Sequence, residues 1–543
     1  MVFVVVRISI VLALELAGIG ASAQNAPQPP QIHVSTHLVQ IGVIVRDKNG
    51  AVADLTKEDF GIFDRGKPQT ISVFTVESPA ATRQPTPTQH LPPNTFSDLP
   101  QTNDAAVRSI TIVLLDNLNT LYGSAATIYE ETPRWMEDHA LANAKAHLLE
   151  YLKGLAPQDR VAVYGLSDTL HVLCDFTSDR TQLLAIVQNY DARSRTSREV
   201  VEPGAVHLPD QPTGGVPPPI DADRIRLAAV TNTSRATTTL AALEAIADHV
   251  ANIPGRKNLV WLSANLPFSS EAMAAILSPA QIAAYPVDGR GLLSRSSLVD
   301  ENDTPMGELG LPSMMKQTHG SASSDEPPGI DTMRRLAELT GGRAFVNSND
   351  LTGAIRDAVG DSAVTYTLGF YIDANSLDGR FHELKVRVKR SGLSVRYPQS
   401  YLALKEAPAT QEERRNSFLR AIRSPLDSSA IPLTIRVERV NQPTPNSIAL
   451  SGSIGIHDLQ LVRSGEIHAG ALDITVIEQD ETGKVLHEST NRINLRFSEK
   501  QYPAILKTGV SFRKSVQPQA GATTLRILVQ DPSSGEIGSL IIP

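Results

Sequence analysis

The chain has 543 residues, 41% of them hydrophobic and 20% charged, with a formal net charge of −8. These are the proportions of a folded protein with substantial cores. The interspersed charges exclude the basic domain or stripe that a nucleic-acid surface requires, and the length predicts several domains of about 150 residues each.

The first residues read as an export signal. Arg7 precedes an apolar stretch from Ile8 to Ile19, and Ala21-Ser22-Ala23 gives the small-x-small cleavage pattern. The stretch is shorter than the roughly 20 apolar residues of a spanning helix. Cleavage after Ala23 is therefore expected, leaving a secreted or periplasmic chain without a membrane span. Cys174 is the single cysteine, which excludes an intramolecular disulfide and a cysteine-cluster zinc site. It lies in the strand-like HVLCDF and reads as a buried, inert thiol.

Residues 32–77 alternate as β structure, with LVQIGVIV closed by the turn Asp47-Lys48-Asn49-Gly50. Residues 78–106 hold six prolines and read as a linker. From residue 107 to 362 the rhythm becomes strand, helix, strand. ITIVLL is a continuous apolar run, as in a strand covered on both faces. Leu141, Ala144, Leu148, Leu152 and Leu155 form a helical stripe. VAVYGL, HVLCDF, NLVWLSA and IAAYPVD read as further strands. Ser178 or Asp179, and Asn349 or Asp350, are N-cap candidates. Pro/Gly-rich excursions at 192–222 and 291–330 interrupt the pattern.

This alternation predicts an α/β fold, a doubly wound and mostly parallel sheet. Residues 363–402 look like a β meander. It and segment 32–77 are each too small for independent stability, so the two are expected to pack together. Residues 403–430 link to 431–543, whose recurring strands predict a C-terminal β-sandwich.

No catalytic signature is present: no G-x-S-x-G elbow, no phosphate-binding glycine loop, no dinucleotide fingerprint. His382-Glu383 begins like a zinc-binding helix motif, but position 386 is Val and the stretch reads as a strand. Asp116 closes the first central strand amid Asn117, Asn119 and Thr120, an arrangement of oxygens that suits a hard cation.

Several blocks, in order, carry a family resemblance: LLDNLNT (114–120), DRVAVYGLSDTLHVLCDFTSD (159–179), PGRKNLVWLSANLP (254–267), IAAYPVDGRGL (282–292), LAELTGGRAFVNSNDL (336–351) and the stretch 366–401. Together with 43–74 they resemble the von Willebrand factor type A-related family of secreted bacterial proteins. The resemblance spans about residues 32–402 and implies a Rossmann-like domain that binds proteins rather than an enzyme. Partner contacts are then expected at Asp116, Asn117, Asn119 and Thr120.

The family's Mg²⁺ site is D-x-S-x-S, a loop Thr and a later Asp. Here Asp116 fits, Thr120 stands for the second Ser and Thr237 matches the loop Thr. Leu118 and Ala264 occupy two ligand positions without an oxygen, so the site reads as degenerate. No cofactor is expected, and Asp116 is read as a cap on the turn. The leading functional expectation is a secreted, non-enzymatic adhesion or interaction protein with an extracytoplasmic partner. The alternative is a secreted hydrolase or carbohydrate binder using 431–543, although that segment has no Trp and only Tyr502.

Overall fold

The computed structural model describes residues 36–77, 91–99, 109–119, 134–156, 159–190, 222–266, 268–289, 329–348, 350–361, 364–404, 408–440, 447–457 and 459–543. The export signal at 1–23, Thr120, Asn349 and residues 192–221 and 291–328 lie outside them. Among the described residues no helix is long and apolar enough to cross a membrane.

Among the described residues, parallel pairing is confined to the middle region. Its strands are β1 (Ser109–Asp116), β2 (Asp159–Leu166), β3 (Leu170–Thr177), β4 (Lys257–Ser263) and β5 (Ile282–Asp288). Its helices are α1 (Arg134–Lys153), α2 (Arg180–Asn189), α3 (Ala222–His249), α4 (Ser270–Leu277), α5 (Ile330–Thr340) and α6 (Leu351–Gly360). The sheet order is β5-β4-β1-β2-β3, and β3 runs antiparallel to β2. Leu243, Ile246, Met273 and Leu336 of α3, α4 and α5 pack with Leu114 and Trp261 on one face. Leu148, Leu183, Leu351 and Ile355 of α1, α2 and α6 pack with Val113 and Val163 on the other. Asp179 caps α2 through Thr181 and Gln182 N–H, and Asp350 caps α6 through Gly353 N–H.

The chain as a whole is not the doubly wound α/β fold expected from its sequence. Strand outweighs helix, 43% to 26%, and the four other sheets are antiparallel throughout. The strand-helix rhythm dominates the reading of the middle region but stops near residue 361. Beyond it, strands such as Phe381–Val388 bury every second residue, the pattern of half-covered antiparallel sheets.

Thr36–Asp47 pairs antiparallel with Thr365–Asp373, from Thr36↔Asp373 to Val43↔Tyr366. Val43, Val45, Ile62, Tyr366, Phe370 and Leu384 share one core. The Tyr366 hydroxyl donates to Val52 O at 2.9 Å and accepts from Leu55 N–H at 3.2 Å. Two short segments, separated by the whole middle region, thus complete one β unit.

Toward the C-terminus, a sheet containing Leu433–Val440 and Ser447–Ile454 faces another containing Ile467–Gln479 and Thr524–Gln530. Thr95–Ser97, inside the stretch read as linker, joins the first of these as an edge strand. Its neighbour Asp98 accepts from Leu433 N–H at 2.9 Å, which fixes the register.

Candidate functional site

β1 is buried from Thr111 to Asp116, and Asp116 is 2% exposed. A buried carboxylate needs partners, and the turn after β1 supplies them. Asn117 and Leu118 N–H both donate to Leu166 O, folding the chain over the end of β2. That brings Asn119 back, so its backbone N–H donates to Asp116 Oδ1 at 3.0 Å and its amide Nδ2 to Oδ2 at 2.9 Å. Trp261 of β4, fully buried, donates Nε1–H to the same Oδ2 at 2.9 Å.

A second Asn119 amide bond, to Thr239 Oγ1 at 3.0 Å, ties the turn to α3. Thr239 in turn donates to Arg235 O. One carboxylate therefore joins β1, its following turn and β4 directly, and α3 through Asn119. Burial pushes the Asp116 carboxyl above its ordinary range, opposed by the hydrogen bonds from Asn119, Trp261 and Ser263.

The donor set does not fit Mg²⁺. That ion needs near-octahedral oxygen ligands at about 2.0–2.1 Å, whereas both Asp116 oxygens accept from N–H groups of Asn119 and Trp261, which cannot ligate a cation. The nearby Ser263 hydroxyl donates to Asn265 O. Leu118 packs on the apolar core and Ala264 is buried, so neither position contributes an oxygen side chain. Thr237 is exposed on α3, and its hydroxyl donates to Thr233 O in its own helix. Thr239 is the threonine that reaches the cluster. Asn117 is half-buried beside it, and Thr120 lies outside the described residues. Among the described residues no three His, Cys, Asp or Glu side chains are grouped to hold a metal.

Sequence reasoning missed a second polar cluster, toward the opposite end of the sheet. His249, the last residue of α3, is 4% exposed. Its Nδ1 donates to Asp427 O at 2.8 Å, and its Nε2 lies 3.2 Å from Asp175 Oδ1. Tyr164 donates to that same oxygen at 3.0 Å. Burial opposes a charge on His249, yet Asp175 and the Asp427 carbonyl outweigh it and raise the imidazole above its usual value. Burial would likewise raise half-exposed Asp175, but His249 brings it below the usual carboxylate range.

Around this pair, burial pushes Asp427 up to about 6 against the Ile541 N–H, and Asp248 up to about 6 against Arg420. Asp98 is pushed up to about 8 by burial, against the Leu433 N–H. Ser429 donates to His249 O at 2.8 Å, closing the junction with the C-terminal sheets. A histidine just before the Asn-Ile-Pro-Gly helix stop is the only signal the sequence offered. Cys174 is buried, and burial pushes its thiol up, as for an inert side chain.

A polar cavity of about 370 Å³ lies far from Asp116, between the helix Gln411–Arg423 and the outer face of the last sheet. Arg414, Arg415, Phe418, Thr475 and Thr490 line it.

Comparison with protein-family models gave no match, and comparison with curated proteins gave none. Among solved structures, an aerotolerance-related membrane protein from Bacteroides fragilis aligns over 46% of this chain and 98% of its own, at 13% identity and a TM-score of 0.25. The conserved hypothetical protein BatB from Bacteroides thetaiotaomicron aligns over 47% and 98%, at 13% identity and a TM-score of 0.24. Proximal thread matrix protein 1 of the mussel byssus aligns over 47% and 48%, at 10% identity and a TM-score of 0.25. At scores this low the likeness has no bearing on function.

Proposed function

We propose that the chain is an exported, non-enzymatic protein of the von Willebrand factor type A-related kind, which binds another protein at the C-terminal end of its central sheet. The observation that carries this reading is the Asp116 node. Bonds from Asn119 and Trp261 hold the strand ends, and the Asn119–Thr239 bond holds α3 to them, as one fixed platform. Fixed strand ends favour tight recognition because little is left to order on binding.

The placement of flanking residues supports the same face. Tyr190 lies against Gly165 near the end of β2, Gly289 N–H donates to Ser263 O, and Gly329 lies against Asn265. Tyr190, Gly289 and Gly329 therefore stand at the C-terminal strand ends, where open sheets with parallel strands place their ligands. The bonded state of Asp116 argues for recognition without a metal bridge.

The test is retention of an extracytoplasmic protein by the immobilised full chain. Asn117→Arg at the platform is expected to lower retention at least tenfold, while Lys507→Glu on the exposed far surface leaves it unchanged. Equal retention by both variants, or turnover in a hydrolase screen with nothing retained, would reverse the reading.

One observation favours a second reading. The 370 Å³ cavity combines Phe418 with hydroxyl, amide and guanidinium groups, a lining that suits a small polar ligand such as a sugar. Phe418 lies outside 431–543, so the scarcity of aromatics there does not count against it. A glycan array probed with the full chain and with Phe418→Ala separates the two readings: binding lost in the variant supports the second.

A further inference from the structure

The β unit built from both flanks meets the central sheet around a small cavity of about 70 Å³. Gln40, Thr367 and Ser400 line it from the β unit, and Arg256, Ser278 and Gln281 from the central region. Three of these carry a buried polar atom without a hydrogen-bond partner: Arg256 Nε, Ser278 Oγ and Ser400 Oγ. Buried polar groups are nearly always bonded, so three orphans around one cavity call for an explanation. All three can donate a hydrogen, and the guanidinium can only donate.

The charge around the cavity points the same way. Arg256 is 8% exposed, and its other bonds go to neutral acceptors, the Tyr285 hydroxyl at 3.1 Å and Gly341 O at 2.6 Å. Tyr285 in turn donates to Asp361 at 3.1 Å, so that carboxylate reaches Arg256 only through the phenol. Asp361 is already paired with Arg46 and Arg396. Lys257 and Glu77 add one charge of each sign alongside. Among the described residues, the carboxylates set against this group of cations are Asp361, held by the partly exposed Arg46 and Arg396, and Glu77, which lies beside Lys257. A buried cation without a counter-charge is costly.

We propose that this cavity holds a small monovalent anion of chloride's size, bound by Arg256, Ser278 and Ser400, and that the anion joins the flanking β unit to the central sheet. An anion accepts from every orphan donor and needs no donor in return. The volume admits a monatomic ion with a water beside it. A neutral water would fill the space but leave the Arg256 charge uncompensated.

The test uses the full chain, dialysed exhaustively into sodium gluconate, whose anion is too large to enter. Sodium chloride then replaces gluconate at constant ionic strength while the thermal midpoint is followed. A saturating rise of several degrees is expected, reproduced by sodium bromide. Ser278→Ala/Ser400→Ala should fold in gluconate yet lose most of the rise, and Arg256→Gln should lose it entirely. A flat curve for the unaltered chain overturns the proposal, as does an unchanged rise in the double variant. Should Arg256→Gln fail to fold, the serine variant decides alone.

Discussion

The two ends of the central sheet each hold a carboxylate, and they hold it by different chemistry. At the C-terminal strand ends Asp116 is buried and bonded by neutral donors, Asn119, Trp261 and Ser263. At the other end Asp175 is half-exposed and faces buried His249, which can carry a compensating charge. Neutral donors fix geometry but leave the charge uncompensated, so burial raises Asp116. A histidine partner compensates it, so Asp175 falls below its usual range. The first arrangement makes a rigid platform; the second ties two parts of the molecule through a titrating bond.

The comparison is broken most forcefully at Trp261. Trp261→Ala removes both a fully buried ring and a donor to Asp116, and should cost about 3–5 kcal/mol in urea unfolding. Trp261→Phe keeps much of the packing and removes the donor, so about 1–3 kcal/mol is expected. Asp116→Asn belongs to the same range, because its amide N–H would face the Asn119 N–H. A Phe variant as stable as the parent would show that the indole bond holds nothing.

At the other end, His249→Leu fills the space but strands Asp175 and the Asp427 carbonyl. A loss of about 1–3 kcal/mol is expected, read as faster amide exchange at Ser428, Ser429 and Ala430. Unchanged exchange there would mean the junction is held by its apolar contacts alone.

The pH profile sharpens the contrast. His249 is raised in the folded state, so its contribution is complete below the unfolded value of about 6.5 and fades as pH rises through the folded value. Asp427 and Asp248, raised to about 6, and Asp98, raised to about 8, act in the same direction. Each keeps a proton in the folded chain that the unfolded chain has lost, so folding weakens as pH climbs from about 4 through those values. Asp175 opposes them only in acid: its contribution is present above about 3.9 and is lost as pH falls through its lowered value. The melting midpoint should therefore be higher near about pH 5.5 than near about pH 9. Asp98→Asn should flatten the upper limb, and an identical profile in that variant would show that Asp98 contributes nothing to it.

The smallest effect is expected from Mg²⁺. Binding with a Kd of about 10 μM would add roughly 2.7 kcal/mol at about 1 mM free ion, a shift of several degrees in a domain of this kind. With N–H donors on both Asp116 oxygens, the midpoint should not move. A magnesium-dependent rise abolished by Asp116→Ala would show that Asn119 and Trp261 yield to the ion.

Much of the site was legible in the linear chain. ITIVLL could only be a covered strand, and its end placed Asp116 at a sheet edge whatever the surroundings. Leu118 and Ala264 lack side-chain oxygens in any fold, so reading them as non-ligands rested on residue type alone. Two helix starts were legible as cap pairs, Ser178 or Asp179 and Asn349 or Asp350, because caps are local, formed within three residues of chain. The structure selects Asp179 and Asp350. The fold class went wrong for the opposite reason: sheet pairing is not local. Whether a strand is parallel or antiparallel depends on which distant segment it meets. The strand-helix rhythm read over 107–362 therefore did not give the class of a chain whose flanking sheets are antiparallel and dominate it.

The remainder was decided by tertiary structure. Thr237 and Thr239 read alike in sequence, but two residues turn a helix by about 200°, so one meets solvent and the other Asn119. Trp261 looked like core, and only the parallel register of β4 beside β1 brings its N–H to Asp116. His249 and Asp175 are 74 residues apart, and Arg256 and Ser400 come from segments that share only a cavity. Residue type and spacing fix which groups a segment can offer and roughly which face it buries. Which groups finally meet is set by packing between segments, because hydrogen bonds and charge pairs are satisfied in space rather than along the chain.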